Sequence, residues 1–437
     1  MYLNGDFQES FNDFITSLKK SQNFYPLANP NKEDEVVERI ADSDKLVDSD
    51  LYDSYSTNLR KAVDEVFHGA DSEIAIQMRG NVTRFAAYKA AMATNDIKNE
   101  IQSTGSLTDA KQVLRAYNTY QATEYATTVA RARTGEQWDK FMQPDNIRIF
   151  PNIKWLPSRS ANPREAHRLF WNRIWPKKDP FWNTNFPGNI WNCKCDWEET
   201  MEDATDKTSE SETPDNTSQA GLDTNPGDKG EIFSDQNSYV ANIKSIPETI
   251  RTPVLKEMGE LYYKDNGSNV QISAMADRYE LYDNIITGRK IALSGQEVKI
   301  MPDFRKLIYG KKNPEFKING IVSDAKRIKS ASGISSGFSK AIDQTSKSVV
   351  IDYGDGEWRP NESKYEKIYF NAEDTAKGIS NRYQDFENGI IEECWVVYKN
   401  AVVLIKKDVF LKYPGKTKEA KSRRVALIKK MIMDAIK

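Results

Sequence analysis

The sequence predicts a multidomain protein with a mainly α N-terminal domain that includes an irregular Trp/Pro-rich module, followed by a flexible linker and an α/β C-terminal domain. Three observations support this prediction. Apolar residues recur at helical spacing before residue 146, tryptophan and proline crowd residues 146–197, and short apolar strands dominate after residue 230. The chain has 437 residues, which is enough for two or three domains.

Residues 1–145 are predicted to be helical. Segments 64–92, 109–133 and 135–142 place apolar residues three and four positions apart, with few glycines or prolines to interrupt them. They form the helical part of the N-terminal domain.

Residues 146–197 differ abruptly in composition from the helical part. The stretch is too apolar to be disordered and too often broken by proline to be a helix, so we expect a compact, irregular module of the same domain. Its tryptophans are Trp155, Trp171, Trp175, Trp182, Trp191 and Trp197.

The same module contains a candidate structural zinc site. His167 and the Cys193-x-Cys195 pair offer three ligands that Zn²⁺ prefers. A fourth ligand is not evident, because Asp196 would point away from the cysteines in an extended strand. The alternative is a buried histidine that is hydrogen-bonded to the protein, with the cysteines packing as small apolar residues.

Several motif elements of this region occur in a characteristic order: Trp155, Arg164-x-x-His167, Asp179-Pro180-Phe181-Trp182, Pro187 and Asn192-Cys193-Lys194-Cys195. This order resembles the phage Mu F-like minor head (head morphogenesis) family over residues 117–197. One departure is that residues 158–163 lack the acid that usually precedes the arginine. The resemblance implies a virion protein of the phage head, made in the bacterial host cytoplasm, with portal and capsid proteins as partners. It does not imply an enzyme.

Residues 198–230 are predicted to be a disordered acidic linker. They contain no aromatic and no β-branched apolar residue, and acids outnumber bases ten to two, so they cannot bury a core. Net charge also changes here, from about −9 for residues 1–230 to about +7 for residues 231–437. The second part is therefore the one expected to seek a polyanion.

Residues 231–437 contain two acids and a lysine around a predicted hairpin. Asn319-Gly320 favours a two-residue turn between strands 316–318 and 321–328, which would bring Glu315 close to Asp324. Asp324 and Lys326 are two positions apart, so they share one face of their strand. Two carboxylates could hold Mg²⁺ and the lysine could position water or stabilise charge on a phosphate.

At these residues the chain resembles the PD-(D/E)XK nuclease superfamily, and more closely the restriction-endonuclease-like toxin domains of contact-dependent growth inhibition systems, over residues 273–353. The resemblance assigns Glu315 in place of the usual first Asp, Asp324 as the second acid, Lys326 as the lysine and Gln344 as the trailing glutamine. The family also has an acid on the preceding helix. A helix predicted at 273–287 offers Glu280 or Asp283 as that metal ligand.

Together these features predict a phage minor head protein that carries a metal-dependent endonuclease toxin. The toxin would cut DNA or tRNA in the bacterial cytoplasm, and toxin systems of this kind imply an immunity protein. Two alternatives stay open: a metal-free ribonuclease of barnase, EndoU or RelE type, and a purely structural head protein. Histidine-dependent ribonucleases are disfavoured, because His68 and His167 both precede residue 231.

The sequence offers no sign of a membrane segment or a secretory signal. No apolar run reaches about 18 residues, and the N-terminus has neither a basic start nor an apolar core. Three cysteines, Cys193, Cys195 and Cys394, are too few for a disulfide framework, which indicates a reducing compartment.

Overall fold

The computed structural model divides the chain into two compact units, residues 1–261 and residues 262–437. About half of the described chain is helical. The structure describes residues 30–208, 217–305, 307–308, 312–354, 359–361, 364–366 and 368–437.

The described part of the first unit begins with helices, as predicted, while residues 1–29 of the predicted helical region lie outside the described part of the chain. Asp48, Ser72 and Ser106 each accept a hydrogen bond from a backbone N–H of the helix that follows, which explains where these helices begin. The helical character of this region was predicted correctly, but the positions where the helices end and begin were not. Polar capping residues determine these positions more than the spacing of apolar residues does. The helices are α1 (Pro30–Asp42), α2 (Ser49–Phe67), α3 (Glu73–Thr104), α4 (Leu107–Thr119), α5 (Gln121–Phe141) and α6 (Pro144–Ile149).

The Trp/Pro-rich module is compact and irregular, as predicted. Its strands β1 (Asn152–Leu156), β2 (Ile174–Pro176) and β3 (Asp196–Thr200) form an antiparallel sheet in the order β2-β1-β3, and α7 (Glu165–Arg168) lies between β1 and β2. Buried aromatic rings pack into one core beside this sheet: Trp138, Phe141, Trp155, Phe170, Trp175, Phe181, Trp182, Phe186 and Trp197.

The prediction of a disordered linker is wrong for residues 198–208 and 217–230. Residues 198–200 belong to β3, Leu222 is fully buried, and α8 (Pro226–Lys229) is helical. Residues 209–216 lie outside the described part of the chain. Composition misled the prediction because hydrogen bonds to the polar backbone, added to the burial of Leu222, anchor this segment.

Arg131 is the anchor for that backbone. Its buried guanidinium donates to the carbonyl oxygens of Gly188 (3.2 Å), Leu222 (3.1 Å), Thr224 (2.6 Å) and Glu231 (3.0 Å). Burial lowers the pKa of Arg131 to about 9. A charge removed from water in this way is tolerated because these hydrogen bonds replace its hydration.

The first unit also includes helices α9 (Ser238–Ser245) and α10 (Glu248–Gly259), which were assigned to the C-terminal domain by sequence. The Glu257 carboxylate accepts hydrogen bonds from the backbone N–H groups of Leu46 and Val47 at 3.0 to 3.1 Å. Asn81 exchanges two hydrogen bonds with the Phe233 backbone. The predicted boundary at residue 230 therefore lies inside the first unit.

The second unit is built on a mixed sheet of eight strands, in agreement with the predicted α/β class. The order is β13-β12-β9-β8-β7-β6-β5-β4, with parallel pairs β12/β9, β9/β8 and β6/β5. The strands are β4 (Tyr262–Lys264), β5 (Gln271–Ser273), β6 (Val298–Ile300), β7 (Phe316–Ile318), β8 (Ile321–Arg327), β9 (Ser348–Asp352), β12 (Glu393–Tyr398) and β13 (Ala401–Lys406); a separate ribbon pairs β10 (Arg359–Asn361) with β11 (Lys364–Glu366).

The predicted hairpin is present at the centre of this sheet. Asn319 and Gly320 both have positive φ, at 47° and 84°, as a two-residue turn of the predicted type requires. β7 and β8 pair antiparallel around this turn, with Phe316 opposite Ser323.

The helix predicted at 273–287 begins later than expected. Residues 271–273 form β5, and α11 (Leu281–Leu293) starts only at Leu281. Ile272 and Met275 are buried, which made the spacing look helical, but Tyr279 is exposed. The remaining helices are α12 (Ile334–Asp343), α13 (Ala372–Ser380), α14 (Tyr383–Glu387), α15 (Asp408–Lys412) and α16 (Lys418–Ile436).

The core of the second unit packs α12, α13 and α16 against the sheet through residues such as Phe338, Ile379 and Ile428. Cys394 is buried in this core, as expected for a packing residue. Among the helices that the structure describes, none is long and apolar enough to cross a membrane.

Candidate metal centres

The hairpin of the second unit brings Glu315, Asp324 and Lys326 together. Glu315 immediately precedes β7, while Asp324 and Lys326 lie on one face of β8. The backbone N–H of Ala325 donates to Glu315 Oε2 at 2.9 Å, which fixes the glutamate beside the two residues of β8. We call this group the acid–lysine centre.

Lys326 lies between the two carboxylates of this centre. Its Nζ is 2.6 Å from Asp324 Oδ2 and 3.5 Å from Glu315 Oε1. Asp324 is fully buried, and neither of its carboxylate oxygens has a hydrogen-bond partner of good geometry among the described residues. The contact with Lys326 is therefore an ion pair, and Asp324 retains unused acceptor capacity.

Electrostatics in the acid–lysine centre favour a proton or a cation. The pKa of Glu315 is raised to about 8, first by burial and then by the negative charge of the neighbouring Asp324, while Lys326 opposes the rise. One lysine cannot fully compensate two neighbouring buried carboxylates. A divalent cation would compensate both.

Two acids, Glu280 and Asp283, were proposed to complete this centre. Glu280 is the one that interacts electrostatically with Glu315 and Lys326. Desolvation raises the pKa of Glu280, with smaller contributions from Asp277 and Glu315 in the same direction, and Lys326 lowers it. Asp283 instead forms an ion pair with Arg327. Since Arg327 follows Lys326 on a strand, its side chain faces the other side of the sheet. The assignment of Asp283 as a metal ligand is therefore not supported.

Among the described residues, the side-chain hydrogen bond of Gln344 is made to Asn313 and not to Lys326 or either acid. It follows the last residue of α12, and its Oε1 accepts a hydrogen bond from the backbone N–H of Asn313 at 3.0 Å. Asn313 in turn accepts from the Phe304 N–H. Because Asn313 is two residues before Glu315, Gln344 is a positioning residue for the segment that carries the first acid.

Sequence reasoning missed a second charged group near Glu280. Arg305 Nη2 lies 2.5 Å from Asp277 Oδ2 and 2.9 Å from Asp303 Oδ2. Asp277 raises the pKa of Glu280 and Arg305 lowers it. No short sequence pattern predicts this group, because its members come from two separate segments, the turn after β5 and the loop after β6.

The first unit holds a thiol–imidazole centre formed by His167, Cys193 and Cys195. His167 Nδ1 is 3.4 Å from Cys193 Sγ and 3.5 Å from Cys195 Sγ, and all three ligand atoms lie within 4.8 Å of one another. Zn–N and Zn–S bonds of about 2.1 and 2.3 Å at tetrahedral angles would separate N and S by about 3.6 Å. The group can hold a metal ion.

The hydrogen bonds of Asn189 orient the imidazole of His167. Asn189 Nδ2 donates to the Thr184 carbonyl at 2.9 Å and to Thr217 Oγ1 at 3.1 Å, which leaves Oδ1 facing His167 Nε2 at 2.7 Å. Since Oδ1 can only accept, the proton is on Nε2 and the lone pair on Nδ1 faces the cysteines. Metal-bound histidines are typically held in this way.

The two cysteines differ in their electrostatic environment. A hydrogen bond from the Cys193 thiol lowers the pKa of Cys195 to about 5, and the same contact, together with burial, raises the pKa of Cys193. The three cysteines of the chain are free. The sequence also allowed a histidine that is hydrogen-bonded to the protein, and His167 Nε2 does make such a bond. Its Nδ1 can still bind a metal.

Comparison of the chain with protein-family models, with curated proteins and with solved structures finds no match. The chemistry of the two centres therefore rests on their residues. The acid–lysine centre offers hard oxygen donors, and the thiol–imidazole centre offers sulfur and nitrogen donors.

Proposed function

We propose that the second unit is a metal-dependent endonuclease that hydrolyses phosphodiester bonds in DNA or tRNA. The observation that carries this proposal is the convergence of Glu315, Asp324 and Lys326, with both Asp324 oxygens buried and lacking hydrogen bonds. Buried acceptors of this kind fit a cation better than they fit an ordinary core. The resemblance to PD-(D/E)XK toxin nucleases assigns the same three residues.

Glu315 and Asp324 would hold Mg²⁺ or a similar hard cation, with Glu280 as a further acid that interacts electrostatically with Glu315 and Lys326. The bound ion would supply Lewis-acid stabilisation and a template for in-line attack on the phosphorus. Glu315 and Asp324 would be fully ionised when the cation is held, because its charge lowers the pKa of nearby carboxyls.

Lys326 would act on water and phosphate. Its Nζ contacts both acids, and its side chain is 20% exposed, which leaves it accessible to a phosphate oxygen. From this position it can donate to the attacking water or stabilise negative charge that develops on the phosphate. Gln344 would contribute indirectly, by fixing the segment that carries Glu315.

The first unit, in this proposal, is a minor head protein that places the nuclease in the phage virion, with portal or capsid proteins as partners. The resemblance to the Mu F-like family supports this role, and the motif residues it rests on pack together. The ring centroid of Trp155 lies 5.1 Å from that of His167 and 6.3 Å from that of Trp182. An immunity protein would protect the bacterium in whose cytoplasm the chain is made.

We also propose that the metal of the thiol–imidazole centre is Zn²⁺. Two thiolates and an imidazole nitrogen match its preferences better than those of Mg²⁺, and the N···S distances are close to those of a tetrahedral site.

The test of the nuclease proposal is cleavage of plasmid DNA and of total tRNA by the purified full chain, with Mg²⁺ or with EDTA. We expect cleavage with Mg²⁺ only, and a loss of about 100-fold or more in Lys326→Ala. Lys317→Ala is the matched control, because Lys317 is exposed on the adjacent strand β7. Cleavage in EDTA would favour the metal-free ribonuclease, and no cleavage of either substrate would favour the structural alternative.

A further inference from the structure

We infer that the thiol–imidazole centre is an open metal site, with three protein ligands and a fourth position that takes an anionic donor from solvent. This inference rests on the proposal that the centre binds Zn²⁺. It goes further, because a closed site would only stabilise the fold, whereas an open site binds a small ligand.

The first argument is the number of ligands. Among the described residues the metal-binding group consists of His167, Cys193 and Cys195. Glu165 is the acid nearest in sequence to His167, but it lies outside this group and pairs with Arg168 at 3.3 Å. Asp196 pairs with Arg159 at 3.1 Å and accepts from the Trp197 N–H. Neither acid supplies a fourth ligand.

The second argument is the direction in which the centre opens. His167 and Cys193 are buried, and His167 is covered by the Trp155 ring and by Asn189. Cys195 is half-buried, and all three ligands line one pocket of about 430 Å³. The fourth corner of a tetrahedron built on these ligands therefore faces the pocket.

The third argument is the chemistry of the pocket wall. Residues 158–163 contribute hydroxyl, amide and proline groups, which are poor ligands for Zn²⁺. Arg164 and Lys194 also line the pocket and are exposed. Arg164 and Lys194 outnumber the one acid of the pocket wall, Glu165, so the positive charge is in excess. This excess favours the binding of an anion over that of a neutral donor.

The experiment uses the purified full chain loaded with Co²⁺ in place of zinc. Cobalt bound by two thiolates gives charge-transfer and ligand-field absorption that reports each change in the ligand set. Titration with azide, thiocyanate and acetate should change the ligand-field bands saturably. The double variant Arg164→Gln/Lys194→Gln should weaken the azide affinity about threefold to tenfold, because local positive charge is removed.

The outcomes separate the two proposals. Thiolate-to-cobalt absorption that is lost in Cys195→Ser but retained in Cys394→Ala supports the metal site itself. Saturable anion effects on that spectrum support the open position. A thiolate–cobalt spectrum that none of the three anions changes overturns the open site and leaves the zinc proposal standing. Absence of thiolate–cobalt absorption in the folded wild-type chain overturns both.

Discussion

The two candidate metal centres are assembled in opposite ways. The acid–lysine centre comes from one hairpin, with Glu315, Asp324 and Lys326 all within a short segment of the second unit. The thiol–imidazole centre joins a short helix to a loop 26 residues later, and Asn189 of the same loop orients its histidine. Local assembly makes a site predictable from sequence, and distant assembly hides its supporting residues.

The centres also differ in how they satisfy their charges without a metal. In the acid–lysine centre Glu315 and Asp324 share one ammonium, and the raised pKa of Glu315 keeps a proton on this residue that a cation would displace. In the thiol–imidazole centre hydrogen bonds already fix the histidine for binding. The properties of the acid–lysine centre are therefore predicted to depend on metal and pH. The ligands of the thiol–imidazole centre are predicted to be in place before the metal binds.

The largest expected effect is that of Asp324→Asn. The substitution removes a cation ligand, so we expect cleavage to fall about 1,000-fold. It also removes one of two repelling carboxylates, so the thermal midpoint of the metal-free protein should not fall. Activity assays and thermal melts in EDTA check both parts. A variant that loses activity only because it unfolds would contradict the assignment of Asp324 to the metal.

The second prediction concerns pH and the stability of the second unit. Unfolded Glu315 titrates near 4.5 and folded Glu315 at about 8, so between these values the folded state holds a proton that the unfolded state has released. Stability contributed by this proton is fully present below pH 4.5 and is lost as pH rises through 8, with about 4 kcal/mol of the loss between pH 4.5 and pH 8.

Denaturant unfolding in EDTA at pH 5 and pH 8 measures this loss. Glu315→Gln should flatten the dependence, because glutamine does not titrate, and Mg²⁺ should stabilise the wild type more at pH 8 than at pH 5. Equal stability of the wild type and Glu315→Gln at both pH values would mean that folding does not raise the pKa of Glu315.

The third prediction tests how the thiol–imidazole centre is preorganised. Asn189→Ala should weaken zinc affinity about 10-fold to 100-fold, because His167 loses the acceptor that fixes its tautomer. Asn189→Asp keeps an acceptor at Nε2 but loses the donor to the Thr184 carbonyl, so its zinc affinity should lie between those of Asn189→Ala and the wild type. Competition with a chromophoric chelator measures the dissociation constants. If the two variants bind zinc equally well, Asn189 does not orient the ligand.

The smallest expected effect belongs to Gln344. Gln344→Ala removes one hydrogen bond to the Asn313 backbone, which should cost about 1 kcal/mol of stability and lower cleavage less than tenfold. Gln344→Glu retains an acceptor and should stay closer to wild type. A loss in Gln344→Ala as large as that in Lys326→Ala would instead indicate direct contact with the substrate.

Much of the second unit was predictable because its signals are local. The Asn319-Gly320 turn and the alternation of β8 predicted the meeting of Glu315, Asp324 and Lys326. The role of Gln344 and the ion pair of Asp283 with Arg327 were not predictable, since both depend on partners brought together by tertiary packing. The start of α11 was misplaced because buried residues before it happened to follow helical spacing.

In the first unit, composition predicted the aromatic module but not the order of residues 217–230. A segment without aromatic or β-branched apolar residues was expected to stay disordered, yet Leu222 is buried and carbonyl groups of the segment are bound by the guanidinium of Arg131. The sequence shows which residues can act as zinc ligands, His167 among them. It does not show that Asn189 orients the histidine.

The hydrogen bonds of Arg131 determine where the chain can be divided without damage to the first unit. A chain cut at residue 230 would lose the Glu231 carbonyl and the two helices that follow, leaving a buried cation with fewer acceptors. A cut after Leu261 would leave the hydrogen bonds of Arg131 intact. A module exchanged between related chains should therefore start at Tyr262, whereas a junction placed at residue 230 should leave the first unit misfolded.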